Sequence, residues 1–126
     1  QQEIRYLLAS TMQAVISQRL VADADGLTRY PACEIMIATG TIREYIREAD
    51  KTVLIRQAIQ EGFVQYQMQT FDQSLMSLLK QKLITFEEAL RQCSNPDDFK
   101  LKVSGVSSTS DLSWDAFEGD SDEGEQ

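Results

Sequence analysis

Histidine is absent from this 126-residue chain. No Ser-His-Asp or Cys-His constellation can therefore be assembled from its own side chains. Only two cysteines occur, Cys33 and Cys93, with no CxxC spacing. Each sits among apolar neighbours, so they read as buried thiols of a reducing compartment rather than a zinc site or a disulfide framework. The six glycines never fall into GxGxxG or GxxxxGK[ST], so the sequence holds no complete phosphate-cradling loop. No apolar run approaches the roughly 20 residues needed to cross a bilayer, and no basic segment leads into an apolar one at the start. No direct membrane insertion is expected. The chain opens on Gln1 and not on methionine, as a processed protein or a segment of a longer one would.

A basic surplus is lacking too. Twelve Lys and Arg stand against 20 Asp and Glu, for a formal charge of −8. Seven of those acids (Asp111, Asp115, Glu118, Asp120, Asp122, Glu123, Glu125) lie beyond Gly105, where no Lys or Arg occurs. The remainder is close to neutral and carries no concentrated basic stripe, so no nucleic-acid partner is expected. Residues 105–126 are rich in Ser, Gly, Asp and Glu and read as an acidic disordered tail. Leu112, Trp114 and Phe117 either travel with that tail in solvent or dock weakly on a partner or on the body. The "DSDEGE" run near the end has its glycine at the wrong offset for a calcium loop. No metal site is expected.

What is present is a switch of periodicity. Ile4, Leu7, Leu8, Met12 and Val15 recur at helical spacing, which predicts an amphipathic helix over 3–15. "AVISQRLVA" (14–22) and "TRYPACEIMIA" (28–38) are β-branched and alternating, and Asp25-Gly26 between them is a turn dipeptide. Together they predict a hairpin, with Pro31 near an edge or bulge. From Gly40 the pattern becomes helical. Capping boxes are expected at Thr41 with Glu44, Thr70 with Gln73, and Thr85 with Glu88. Val53, Leu54, Ala58 and Ile59 form a predicted core stripe over 51–66, interrupted by Gly62. Asn95-Pro96-Asp97-Asp98 reads as a helix start, with a cap residue, proline in the first turn and acids at the positive end of the dipole. Glu87-Glu88 and Asp97-Asp98 are read as first-turn acids and not as catalytic pairs. The fold class is mainly α (α+β): a helix and hairpin over 1–40, then four or five short helices over 41–104.

The segment "TIREYIREAD" (41–50) places Ile42, Tyr45, Ile46 and Ala49 on one helical side. Arg43 and Arg47 lie one turn apart, a like-charge pairing that costs a few tenths of a kcal/mol, about as much as an opposite pair gains. Glu44, three residues before Arg47, offsets part of that. Spacing leaves two readings open, a solvated charged face or a guanidinium fork for a carboxylate or phosphate.

Four blocks in order resemble the type IV pilus retraction ATPases, the twitching-motility (PilT/PilU) branch of the secretion ATPases. "TIREYIRE" (41–48) is similar to the family's AIRNLIRE, agreeing at Ile42, Arg43, Ile46, Arg47 and Glu48 and departing at Thr41, Glu44 and Tyr45. "QMQTFDQSLMSL" (67–78) is similar to GMQTFDQAL-L, including Met68, Gln69, Thr70 and Leu75, with Gln67 where the family has glycine. "VISQRL" (15–20) leading to "PACEIMIATGTI" (31–42), and "LITFEEALRQCSNPDDFKLKV" (83–103), complete the likeness over roughly residues 2–104. The resemblance implies a fragment: residues 1–104 would be the C-terminal part of a RecA-like ATPase domain of a hexameric, bacterial cytoplasmic motor. Its Walker and other nucleotide-binding motifs, holding ATP and Mg, would lie upstream, and the segment alone would not hydrolyse ATP. Ile42, Arg43, Glu44, Ile46, Arg47 and Glu48 would form a retraction motif. The implied partners are copies of the parent in a homo-hexamer and the inner-membrane pilus machinery. The alternative from the residues alone is a stand-alone, non-enzymatic adaptor that binds an anionic partner through Arg43 and Arg47.

Overall fold

The computed structural model describes residues 1–105, so the expectations for the acidic tail lie outside it. Helix α1 covers Gln2–Thr11, followed by strand β1 (Ala14–Ala22) and strand β2 (Arg29–Ile37). Then come α2 (Gly40–Arg47), a 3₁₀ segment (Ala49–Leu54), α3 (Ile55–Glu61), α4 (Phe63–Tyr66), α5 (Phe71–Lys80), α6 (Phe86–Gln92) and α7 (Pro96–Val103). The mainly helical class with a single antiparallel hairpin is as expected.

The strands pair in unbroken register from Ala14 opposite Ile37 to Ala22 opposite Arg29. Pro31 sits opposite Leu20 within that register, with no bulge, on a strand at the sheet's edge where its missing N–H breaks no ladder bond. The turn is longer than a two-residue connection. Asp23 Oδ1 accepts from the backbone N–H groups of Asp25 and Gly26, and Gly26 supplies the left-handed φ of 76°. The Asp25 side chain first, and then these backbone donors, hold the Asp23 carboxyl below its ordinary value.

Residues 30, 32 and 36 share one face of β2, and that face feeds two cores. Toward the turn, Val21 and Ala32 pack with Leu75, Met76, Ile84, Ala89 and Phe99, contributed by α5 to α7 and the α5–α6 connection. At the other end Met36 packs with Ala9, Ile42, Ile46, Ile59 and Met68. The two cores are stitched by residues 68–75. Met68 fills the second core, Gln69 forms a two-bond bridge with Ile35 (2.8 and 3.1 Å), and Leu75 fills the first. Gln69 Nε2 also donates to the Cys33 carbonyl, and the Cys33 N–H donates to Ser74 Oγ. This segment therefore closes the outer edge of β2.

Several expectations need correction. The first helix stops at Thr11, so Val15 lies in β1, and the face predicted to be buried is largely exposed: Ile4 is 61 % and Leu7 64 % exposed, whereas Ala9 is buried. Small Ala9 is what α2 packs on, so close approach of the two helices decided the buried side. The helix of the arginine segment begins two residues earlier than a Thr41 cap requires. Thr39 is its cap, and its hydroxyl accepts from the Ile42 N–H at 3.3 Å. The 51–66 stretch breaks into the 3₁₀ segment and two short helices. Val53 is 81 % exposed and Leu54 is exposed as well; Ile59 alone of the predicted stripe is fully buried, with Ala58 packed beside it. Cys33 and Cys93 are half-buried free thiols. Burial, with the Asp72 charge second, pushes the Cys93 thiol pKa up.

The other caps fall on the expected residues, but the Glu88 carboxylate turns to Arg91 and Gln92, so the box expected at Thr85 lacks its reciprocal half. Thr70 and Gln73 form a reciprocal capping box (2.8 and 3.2 Å), Thr85 accepts from the Glu88 N–H, and Asn95 accepts from the Asp98 N–H ahead of Pro96.

Candidate functional site

Helix α2 is amphipathic at its most compressed. Ile42 and Ile46, one turn apart, are both buried, and Tyr45 is half-buried. Ala49 falls past the helix end and is exposed. Arg43, Glu44 and Arg47, with Glu48 at the cap, carry charge, and tertiary structure gives the two arginines separate tasks.

Arg43 and Arg47 do not act as a pair aimed at one acceptor. Arg43 is half-buried, and its Nη1 donates to the carbonyl of Ala9 in the last turn of α1. A helix leaves its last four carbonyls without intrahelical donors, and a cation there also meets the negative end of the dipole. Helix α1 has no basic residue of its own in that turn, so α2 supplies one. Arg47 is exposed and its Nε donates to the Arg43 carbonyl at 3.3 Å. With one guanidinium turned into the fold, the fork reading has no geometric support.

Glu44 and Glu48 converge on a residue outside the motif. Lys51 Nζ lies 2.6 Å from Glu44 Oε1 and 3.1 Å from Glu48 Oε2. The Lys51 hydrogen bond, then its charge, holds the Glu44 carboxyl below its ordinary value, with a smaller contribution from Arg47. The two carboxylates raise the Lys51 pKa in turn. The expected Glu44–Arg47 compensation is thus secondary. At the same corner Arg5 Nη1 donates to the Ile46 carbonyl (3.0 Å) and to Thr52 Oγ1 (3.1 Å). Neither Arg5 nor Lys51 stood out in the sequence: Lys51 lies just past the motif, and Arg5 acts across 41 residues, beyond any local pattern.

An open cleft of about 420 Å³ borders this corner, with Arg5, Tyr6, Arg47, Glu48 and Asp50 in its wall. A smaller polar cleft lies at the starts of α5 and α7. There Asp72, buried, accepts from the Ser94 N–H (2.9 Å) and faces Arg56 (3.5 Å), while Asp98 pairs with Lys102 (3.0 Å). Among the described residues no group of three or more His, Cys, Asp or Glu is placed to hold a metal ion, and no helix is long and apolar enough to cross a membrane. Among the described residues, Gly26 is in the hairpin turn, Gly40 starts α2, Gly62 ends α3 against Met68, and Gly105 follows α7.

The structure brings the two motif blocks together, since Met68 packs in one cluster with Ile42 and Ile46. No family model matches the chain. Among curated proteins it is 40 % identical over 98 residues to a twitching motility protein of Neisseria gonorrhoeae, covering 78 % of this chain and 26 % of that one. It is 41 % identical over 96 residues to the type IV pilus retraction ATPase PilT of Pseudomonas aeruginosa, covering 76 % and 27 %. To the type IV pilus ATPase PilU of the same organism it is 31 % identical over 99 residues. The chain spans about a quarter of the length of these relatives. Its fold matches 26 % of a crystal structure of the pilus retraction motor PilT with bound ADP, at 35 % identity and a TM-score of 0.59 over 77 % of this chain. The ATPase DotB of Legionella pneumophila shares the fold at 17 % identity and a TM-score of 0.55. Four motif blocks in order, the cores they build and these relatives agree that the chain belongs to the PilT/PilU family of type IV pilus ATPases, corresponding to a part of such a protein.

Proposed function

We propose that this chain is the C-terminal segment of a hexameric pilus retraction ATPase, in which helix α2 couples ATP-driven motion to disassembly of the pilus. Residues 1–104 are the ordered end of the ATPase domain, divided near Gly40 into helix plus hairpin and a helical subdomain, and 105–126 are an appended acidic tail. ATP and Mg are held by the parent's upstream core in the bacterial cytoplasm. This segment contributes the motif Ile42, Arg43, Glu44, Ile46, Arg47 and Glu48. The second motif, Met68, Gln69, Thr70 and Leu75, locks the α2 core to the hairpin. The partner is the pilus assembly machinery at the inner membrane.

The observation that carries this reading is the division of labour on α2. Ile42 and Ile46 anchor the helix in a core, while Arg47, Glu44 and Glu48 stand exposed at a corner tied by Arg5 and Lys51. A site built on a fixed element transmits motion, whereas a frayed helix would absorb it. Apolar surface left open on α1 and β1 (Ile4, Leu7, Ile16) supports a larger parent, because such area is covered by packing in a complete domain. The stand-alone adaptor reading depended on the two-arginine fork and has no observation in its favour.

The test is Arg47→Ala in the full-length parent. Retraction, read by twitching or by the pull of single pili on beads, is expected to fall while hexamer assembly by light scattering stays intact. Normal retraction would reduce the motif to a solvated face.

A further inference from the structure

Arg5 and Arg43 make one reciprocal device. Arg43 of α2 donates to Ala9 at the end of α1, and Arg5 of α1 donates to Ile46 at the end of α2. Each helix thereby supplies a cationic donor to a C-terminal carbonyl of the other; α1 has no basic residue in its own last turn, whereas α2 also has Arg47. The device is asymmetric in one respect. Arg5 reaches on to Thr52 Oγ1 in the 3₁₀ segment, so it spans the bend at Glu48. Lys51 ties the same bend through Glu44 and Glu48. Arg47 stands between these ties and is the motif arginine left exposed, in the wall of the cleft that Arg5 also lines.

We infer that Arg5 is a positioning residue for the α2 corner, and that Arg43 acts the same way: both set where Arg47 and Glu48 are presented, and Arg47 is the arginine that meets the partner. Resting on the coupling role proposed above for α2, this inference divides the motif into one arginine that orients and one that contacts. It also adds a residue far outside the motif to the machinery. Bonds of this kind cross a single helix pair, so their loss loosens presentation of the corner without opening either core, both of which are built from other side chains.

The experiment uses the full-length parent with Arg5→Ala, Arg5→Lys, Arg43→Ala and Arg47→Ala. Three readouts are taken together: retraction speed, ATP turnover of the hexamer, and amide exchange of residues 44–48. For Arg5→Ala, retraction is expected to fall at least fivefold while ATP turnover stays within twofold, and exchange at 44–48 to rise about tenfold. Arg5→Lys, which keeps a cationic donor for the Ile46 carbonyl, restores most of the retraction. Arg47→Ala loses retraction with exchange unchanged. A general loss of folding would lower turnover in step with retraction, and that parallel loss overturns the inference. So does Arg5→Ala retracting normally while Arg43→Ala and Arg47→Ala fail. If Arg43→Ala and Arg47→Ala both retract normally, the coupling role of α2 has failed first. Should Arg5→Ala not accumulate, Arg5→Lys decides: full retraction with protected 44–48 amides supports the inference, and wild-type exchange with lost retraction overturns it.

Discussion

Gln67 closes α4 with φ 58° and ψ 29°, in the left-handed region, at the place where the family motif carries glycine. A side chain held there costs on the order of 1–3 kcal/mol, because Cβ crowds the following carbonyl. Gln67→Gly removes that strain. Glycine in turn gives up more freedom on folding, roughly 0.5–1 kcal/mol, which offsets part of the gain. The Gln67 side chain is exposed, and its removal uncovers no core. The net expectation is a stabilisation of about 1 kcal/mol, equivalent to roughly 4–6 °C in the thermal midpoint. Urea unfolding followed by circular dichroism measures it as a higher midpoint with an unchanged slope. Gln67→Ala is the control, since it keeps the strain and deletes the same polar atoms; it should leave the midpoint where it was. If Gln67→Gly matches or falls below the unsubstituted chain, or Gln67→Ala gains as much, the left-handed turn is not the source of the cost.

Three further outcomes are expected. A Cβ at Gly62 would run into the Met68 methyl and approach the Ala58 carbonyl oxygen to 3.1 Å, so Gly62→Ala should destabilise by about 1–3 kcal/mol in urea, with partial recovery when Met68→Leu is added. Thr39→Ala removes the true cap of α2 and should cost about 1 kcal/mol in the same assay, whereas Thr41→Ala should change stability by less than about 0.5 kcal/mol. Glu44 has its carboxyl pKa depressed by Lys51, so the stability it adds is present above its ordinary value near 4.5 and is lost as pH falls through the lower folded value. Lys51→Met should return the Glu44 titration, followed by carboxyl carbon NMR, toward that ordinary value.

Local chemistry was legible wherever a helix start is written in contiguous residues. Thr70, Thr85 and Asn95 each satisfy the backbone donor three positions on, and nothing distant competes for them. The same logic placed one cap at Thr41, because Thr41 and Glu44 fit the box pattern as well as any pair does. The chain instead begins α2 at Gly40, where Ile42 and Ile46 both reach the core and Thr39 falls at the cap. Periodicity likewise gave α1 an apolar stripe without saying what it would meet. The partner helix packs on Ala9, and Ile4 and Leu7 face away from the described fold.

The linear sequence determined the class of elements, the hairpin, most of the helix starts held by neighbouring side chains, and the motif blocks that mark the family. Each of those rests on interactions within a few residues or on a repeating pattern along the chain. Only the tertiary structure decided what the two arginines of α2 do. Arg43 finds its acceptor 34 residues away and Ile46 receives its donor from 41 residues away, at helix ends brought together by burial of Ala9 and Ile42. The like-charge pair is tolerable because one guanidinium is turned inward to an unmet carbonyl, leaving the other alone at the surface.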